Sequence, residues 1–153
     1  MGHVVNHVHI DAAPERVFGL AIQPERLPEW QANLVEVRDV SGPGDQVGTS
    51  WTAIMKIGGR KLDGRWEVTR VERPTYVELS GTAPGGGRAT VINRFEPEDG
   101  GTDASIELDY VLPGGFLGGV ADKLFVERSV ERDTRHSGEN FKAICEAEVP
   151  AAV

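Results

Sequence analysis

VERSVERDTRHSGENFKAICEAE, residues 126–148, is the stretch on which the fold of this chain turns. Placed at steps of about 100°, Val126, Val130, Ser137, Phe141 and Ile144 fall on one helical face, with Asp133 beside them and Thr134 near it. An apolar stripe of this kind buries against another element. A dry core, however, does not select Asp133, Thr134 and Ser137 for its centre, because burying an unpaired polar group costs roughly 1–3 kcal/mol. The mixture predicts a helix that closes over a cavity. Upstream, Pro113-Gly114-Gly115 opens the helical reading, which runs to Glu148. Gly114, Gly115, Gly118 and Gly119 read as a flexible lead into the helix that could gate a tunnel. The alternative reading of the same stretch is that the apolar Phe116, Leu117, Val120, Leu124 and Phe125 form a short separate helical turn packed as core.

Towards the N-terminus the pattern changes period. His3 to Ile10 alternates, with Val4, Asn6, Val8 and Ile10 on one side and His3, Val5, His7 and His9 on the other, which is strand periodicity. Asp11, Pro14 and Glu15 start a short helix through Val17, Phe18 and Ala21. A second, of one or two turns, begins near Pro24 and stops by Trp30, with Pro28 inside it. Then come short alternating runs punctuated by Gly, Pro and Asp, which are hairpin signals. They are Leu34–Val40, Val47–Ile57, Leu62–Val71, Tyr76–Ser80, Ala89–Phe95 and Ala104–Leu112, making seven strands with the first. The glycine runs Gly85-Gly86-Gly87 and Gly100-Gly101 read as turns. Trp51, Met55 and Ile57 share a face, as do Leu62, Trp66 and Val68, and Ala104, Ile106, Leu108 and Tyr110. The opposite parity carries Asp63, Arg65 and Glu67, then Asp103, Glu107 and Asp109. An antiparallel sheet with one wet face needs a cover on the other, and the C-terminal helix is the element long enough to supply it.

Composition bounds the function. A chain of 153 residues is one domain of ordinary size, taken here as residues 1–153. Sixteen Lys and Arg against 24 Asp and Glu give a net charge of -8, which repels nucleic acid and anionic membranes. The single Cys145 excludes a disulfide framework and a Cys-rich zinc site. The N-terminus MGHVVNHVHI lacks the basic-then-apolar plan of a signal peptide, and no run approaches the roughly 20 apolar residues of a membrane span. A cytoplasmic protein with no membrane insertion is the expectation. Monomer and homodimer remain equally open.

The order strand, two short helices, six strands and long helix resembles the helix-grip domains of the START and birch-pollen-allergen superfamily (SRPBCC), in particular its bacterial polyketide cyclase/dehydrase and lipid-transport branch. The resemblance spans His3 to Glu148. Its marks are Ile10-Asp-Ala-Ala-Pro-Glu-Arg-Val-Phe18, Pro24-Glu-Arg-Leu-Pro-Glu-Trp30, Trp66-Glu-Val-Thr-Arg-Val-Glu-Arg-Pro74, Gly101-Thr102 and Asn140-Phe-Lys-Ala-Ile144. It implies an α+β helix-grip fold, a curved seven-stranded antiparallel sheet with two short helices and a long C-terminal helix over a ligand-sized cavity. It leaves activity open, since such a shape hosts carriers, cyclases and toxin-like proteins.

Candidate ligand contacts follow from parity and from the helical stripe. The tryptophans Trp30, Trp51 and Trp66 would wall the cavity with flat apolar surface. Met55, Phe116, Val130 and Phe141 would add to it. Asn6 and Asn93 lie on inward parities, and with Tyr110, Asp133 and Ser137 they would form a polar cluster holding a ligand carbonyl or hydroxyl, or one another through a buried water. Asp133, Tyr110 and Asn93 are the candidate catalytic groups, Asp133 through a carboxyl raised by desolvation. His3, His7 and His9 share the wet face of the first strand with no carboxylate partner assignable, so neither metal nor other cofactor is expected. The glycine runs lack the Lys-Ser or Lys-Thr of a phosphate loop. Binding or transport of a small hydrophobic ligand (lipid, quinone or polyketide-like aromatic) leads. A polyketide cyclase/dehydrase-type enzyme is the alternative, and a toxin-like interaction protein the third reading.

Overall fold

Alternation and hairpin turns produce one seven-stranded sheet in which every neighbouring pair is antiparallel. The computed structural model describes residues 2–116 and 120–148. The strands are β1 (Gly2–Ile10), β2 (Leu34–Arg38), β3 (Ser50–Ile57), β4 (Arg60–Glu72), β5 (Tyr76–Ala83), β6 (Gly87–Glu98) and β7 (Gly101–Val111). Their spatial order is β1-β7-β6-β5-β4-β3-β2, so the first strand pairs with the last and β2 forms the other edge. Register shifts between Leu34 and Glu36 in β2 and between Val68 and Arg70 in β4 bend those two strands. Helix α1 (Pro14–Ala21) and a 3-10 helix (Pro24–Glu29) connect β1 to β2, and helix α2 (Val120–Glu148) crosses the concave face. Among the described residues, no helix is long and apolar enough to cross a membrane.

Strand length is where sequence and structure part. β5 continues through Gly81 to Ala83, past the expected end at Ser80, and β6 and β7 begin at Gly87 and Gly101, so two glycines read as turns, and Gly81 with them, lie inside strands. They admit close neighbours there. A Cβ on Gly81 would lie 2.8 Å from the Trp66 ring, and one on Gly87 2.8 Å from Pro113. The turns themselves fall on residues of positive φ, Gly58-Gly59, Gly85-Gly86 and Asp99-Gly100. The start of α1 also differs. Ala13 stands at the N-cap with Pro14 following, while Asp11 gives its N–H to Glu146 Oε2 at 2.8 Å and accepts from His9 Nε2 at 3.0 Å.

Two apolar clusters anchor the ends of α2. At the closed end Ile10, Val17, Phe18, Trp30, Phe95, Phe141 and Cys145 pack together, and Phe18 meets Phe95 edge-on with ring centroids 6.1 Å apart. The buried Thr102 hydroxyl donates to the Ala12 carbonyl at 2.6 Å, pinning the β1–α1 corner to β7. Lys142 Nζ donates to the His9 carbonyl at 2.7 Å, and Arg26 donates to both Glu148 and Glu29, so the last turns of α2 are latched to β1 and to the 3-10 helix. At the open end Val126 and Val130 pack with Ile57. Leu124 and Phe125 do not form the separate core turn anticipated. They belong to α2 and are 49% and 58% exposed. Leu117, Gly118 and Gly119 lie outside the described residues.

Cys145 belongs to the buried stripe, and desolvation first, then Glu148 and Glu146, pushes its thiol from the ordinary 9.0 up to about 12. A shift of about three units leaves roughly a thousandfold less thiolate. Cys145 is therefore expected to resist a disulfide-exchange reagent at pH 8 in the native protein and to react fully in urea. Rapid native labelling would contradict its packing.

Candidate functional site

One row of side chains across the sheet explains why a cavity exists. Pairing aligns Trp51 of β3, Trp66 of β4, Gly81 of β5, Ala89 of β6 and Tyr110 of β7, and then Gly2 of β1. Large rings stand towards the sides and small residues in the middle. The Trp66 ring lies on Gly81, and the Tyr110 ring lies where a Cβ on Gly2 would overlap it. Gly81 thus admits the Trp66 ring, and the small Ala89 between Gly81 and Tyr110 leaves room on the cavity side of the row. Gly64, whose Cβ position lies 3.0 Å from Met55 Cε, adds a further small wall residue.

The resulting cavity encloses about 140 Å³ between the sheet, α2 and the loop after the 3-10 helix. Ala53, Leu79, Val91, Ile106 and Leu108 add to its apolar lining, as do Leu27 and Leu34 beside Gln31 and Asn33. Its rim lies where the β5–β6 hairpin meets the segment after β7. Gly114 donates its N–H to the Gly85 carbonyl at 2.8 Å, and Arg60 donates to the Phe116 carbonyl.

The polar middle of α2 is mostly occupied with the protein itself. Ser137 Oγ donates to the Asp133 carbonyl at 2.7 Å and accepts the Ala32 N–H at 2.9 Å. Thr134 Oγ1 donates to the Val130 carbonyl at 2.7 Å. Both hydroxyls thus spend their protons within the helix, and Ser137 also ties α2 to the loop that carries Gln31 and Asn33. Asp133 differs. Its side chain is 17% exposed, Arg132 Nε is 3.8 Å away, beyond hydrogen-bond reach, and burial raises the carboxyl above its ordinary value against smaller opposing effects of Arg132 and His136. Burial, and then Glu127 and Glu131, likewise raises the Tyr110 phenol.

A raised carboxyl has a consequence for stability. The folded chain holds the Asp133 proton more tightly than the unfolded chain, so ionisation costs stability once pH rises past the ordinary carboxyl value of 3.8. The cost is complete above the raised folded value and absent below 3.8. Asp133→Asn is therefore expected to raise the thermal midpoint at pH 7, with the gain shrinking to nothing as pH falls to about 3.8. A loss of stability at pH 7 would show that the carboxylate is needed where it stands.

Of the candidate ligand contacts, Trp30, Trp51, Met55, Trp66, Tyr110, Val130 and Ser137 line the cavity, as does Asp133. Asn6, Asn93, Phe116 and Phe141 are not among the lining residues. Asn6 lies on the inward face of β1, but Gly138 of α2 covers it, with Asn6 Nδ2 2.6 Å from the position of a Cβ there. Asn93 pairs with Ile106 and Val77, two residues beyond Val91 and next to the core residue Phe95. Phe141 packs tilted on Trp30, ring centroids 4.7 Å apart. Phe116 packs with the open-end cluster under the Arg60 guanidinium, 5.8 Å from the ring centroid. The five-membered polar cluster of Asn6, Asn93, Tyr110, Asp133 and Ser137 is therefore not assembled. Gln31, Asn33, Gly64, Gly81 and Thr134 are wall residues that the candidate set lacked. Strand parity with Leu62 and Trp66 marks Gly64, whereas Gln31 and Asn33 sit in a loop where no periodicity operates.

The histidines acquire partners that the sequence left unassigned. Antiparallel pairing brings the acidic face of β7 beside β1, and His3 Nδ1 lies 2.7 Å from Asp109, His7 Nδ1 3.0 Å from Asp103. His3, Glu107 and Asp109 place three possible ligand atoms within 4.8 Å of one another on this exposed face. Asp109 holds the His3 imidazole protonated to higher pH than usual.

Comparison with known proteins extends the geometric result. No curated protein sequence matches the chain. Solved structures with the same fold include the Zhui aromatase/cyclase from Streptomyces sp. R1128, with 18% identity, a TM-score of 0.78 and coverage of 98% of this chain and 96% of that one. TTHA0849 from Thermus thermophilus shows 24% identity and a TM-score of 0.71 over 93% of this chain and 98% of that one. The di-domain ARO/CYC BexL from the BE-7585A biosynthetic pathway shows 21% identity and a TM-score of 0.73 over 96% of this chain and 50% of that one. At these identities the likeness establishes the helix-grip fold alone. The family model described as "Polyketide cyclase / dehydrase and lipid transport" matches residues 1–146, and with that match the chain belongs to this family of the SRPBCC superfamily.

Proposed function

We propose that the protein binds a small, flat, hydrophobic molecule in the cavity beneath α2, as a carrier or a sequestering protein. The observation that carries this reading is the row Trp51, Trp66, Gly81, Ala89 and Tyr110, in which the Trp66 ring lies on Gly81 and aromatic walls stand on either side of the small Ala89. A cavity of about 140 Å³ is close to the engineered apolar cavity of about 150 Å³ that accepts benzene in another protein. A single ring fits it as it stands.

Tryptophan fluorescence tests the reading, because all three indoles line the cavity. Titration with naphthalene and with palmitate is expected to quench emission saturably for the ring compound and more weakly for the acyl chain. No saturable change with either would overturn the cavity-binding reading.

The raised carboxyl of Asp133 favours a second reading, a cyclase/dehydrase-type lyase in which Asp133 takes or gives a proton and Tyr110 donates to a carbonyl oxygen. The family's description, which names cyclase/dehydrase beside lipid transport, is compatible with both. If turnover of a poly-carbonyl chain occurs, Asp133→Asn should retain binding and lose product formation. Undiminished product formation by that variant would remove Asp133 from the chemistry.

A further inference from the structure

Outside the cavity, the seam between β1 and β7 gathers donor atoms of another kind. Strand pairing sets His3 opposite Asp109 and Val5 opposite Glu107, and the two-residue alternation of a strand puts His3, Glu107 and Asp109 on one face. Each nitrogen of the His3 ring meets a different carboxylate. Nδ1 lies 2.7 Å from Asp109 Oδ1, and Nε2 lies 3.9 Å from Glu107 Oε2. One ligand atom from each of the three residues falls within 4.8 Å of the others, and no second group of this kind occurs among the described residues. Arg94 Nη1 donates to Glu107 Oε1 at 3.1 Å, which holds that carboxylate by one oxygen and leaves the other towards the imidazole. His7, by contrast, has Asp103 at 3.0 Å and no third donor in reach among the described residues.

We propose that His3, Glu107 and Asp109 bind one divalent transition-metal ion of the zinc class on the outer face of the β1–β7 seam. One imidazole with two carboxylates suits zinc and its neighbours, whereas magnesium and calcium take oxygen ligands. Three protein ligands leave a further position to water, and the half-exposed His3 and Asp109 side chains give the ion entry. Bonds of about 2.0–2.2 Å set tetrahedral ligands about 3.3–3.6 Å apart, so atoms that lie within 4.8 Å draw together by at most about 1.5 Å. Rotation of exposed side chains supplies that movement. Asp109 and the cavity residue Tyr110 are chain neighbours on opposite faces of β7, so the ion sits behind the cavity wall and takes no part in ligand binding. It ties the edge strand β1 to β7.

Calorimetric titration with zinc chloride, on protein carrying no histidine tag, compares wild type with His3→Gln, Asp109→Asn and His7→Gln. Wild type is expected to take up one zinc ion. Removing even an outer-shell partner of a metal costs about 10- to 100-fold in affinity, so loss of a direct ligand in His3→Gln or Asp109→Asn should weaken zinc binding by at least about tenfold. His7→Gln should bind zinc as wild type does. A readout on wild type alone stands even if a variant does not fold: cobalt(II) is expected to broaden the amide resonances of His3 and Asp109 before those of His9 and Asp103 at the other end of the seam. Wild type without saturable zinc binding, a His3→Gln protein that binds zinc undiminished, or broadening centred on His9 and Asp103 overturns the assignment. Displacement of zinc by an equal concentration of magnesium overturns the choice of metal class.

Discussion

Ala89→Phe is expected to weaken binding of any cavity ligand by about 10- to 150-fold, while the protein stays folded. Ala89 stands between Gly81 and Tyr110 in the row that frames the cavity, with the Trp66 ring lying over Gly81. A benzyl side chain at this position projects into the free space of about 140 Å³ and occupies the volume that a ring-sized ligand would take. Losing burial of one ring costs a ligand roughly 1.5–3 kcal/mol, which is the source of the factor. Filling a void also recovers packing contacts, partly or wholly offsetting the roughly 1–3 kcal/mol that overpacking costs. Unchanged stability with abolished binding is the outcome to look for, by fluorescence titration beside thermal unfolding. Binding that survives Ala89→Phe would place the ligand elsewhere.

Phe18→Ala is expected to destabilise the protein by about 3–5 kcal/mol, a large share of the roughly 5–15 kcal/mol that holds a domain of this kind together. Phe18 is fully buried, its ring edge-on to Phe95 and beneath the Arg73 guanidinium, which lies 4.8 Å from the ring centroid. Helix α1 has eight residues and no side-chain cap, so its own propensity cannot sustain it. It exists because Val17 and Phe18 are buried against the sheet. Arg73 also holds Glu15 at 3.3 Å and Asp45 at 3.1 Å, but these exposed pairs contribute little. Urea unfolding measures the effect as a lower midpoint at constant slope. A loss below about 1 kcal/mol would mean that the closed-end core is not organised around Phe18.

Alternation made the sheet legible, because Ala104, Ile106, Leu108 and Tyr110 and their charged neighbours leave one consistent division into faces. The long helix was legible for the same reason at a different period. Glycine was not, since Gly81 reads alike whether it turns the chain or admits a ring, and the ring belongs to Trp66, fifteen positions back in sequence. Parity placed Asn6 on the inner face of β1, yet parity carries no information about Gly138 lying over it. Ser137 shows the same limit from the other side. Its position in the stripe was readable, whereas its bond to the Ala32 N–H depends on a loop 105 residues away. The candidate site was thus legible as a set of facing side chains. Which polar groups stay unspent depended on contacts between distant segments, and among the described residues that accounting leaves the Asp133 carboxyl in the wall of the cavity without a hydrogen bond, with Arg132 Nε 3.8 Å away.

Native mass spectrometry of wild type and Ala89→Phe, both purified from the protein's own host, tests the central claim most directly. A small-molecule adduct on wild type that is missing from Ala89→Phe is the expected result, and its mass would identify the ligand class. Wild type free of any adduct, or the same adduct on both proteins, would contradict a ligand held beneath α2.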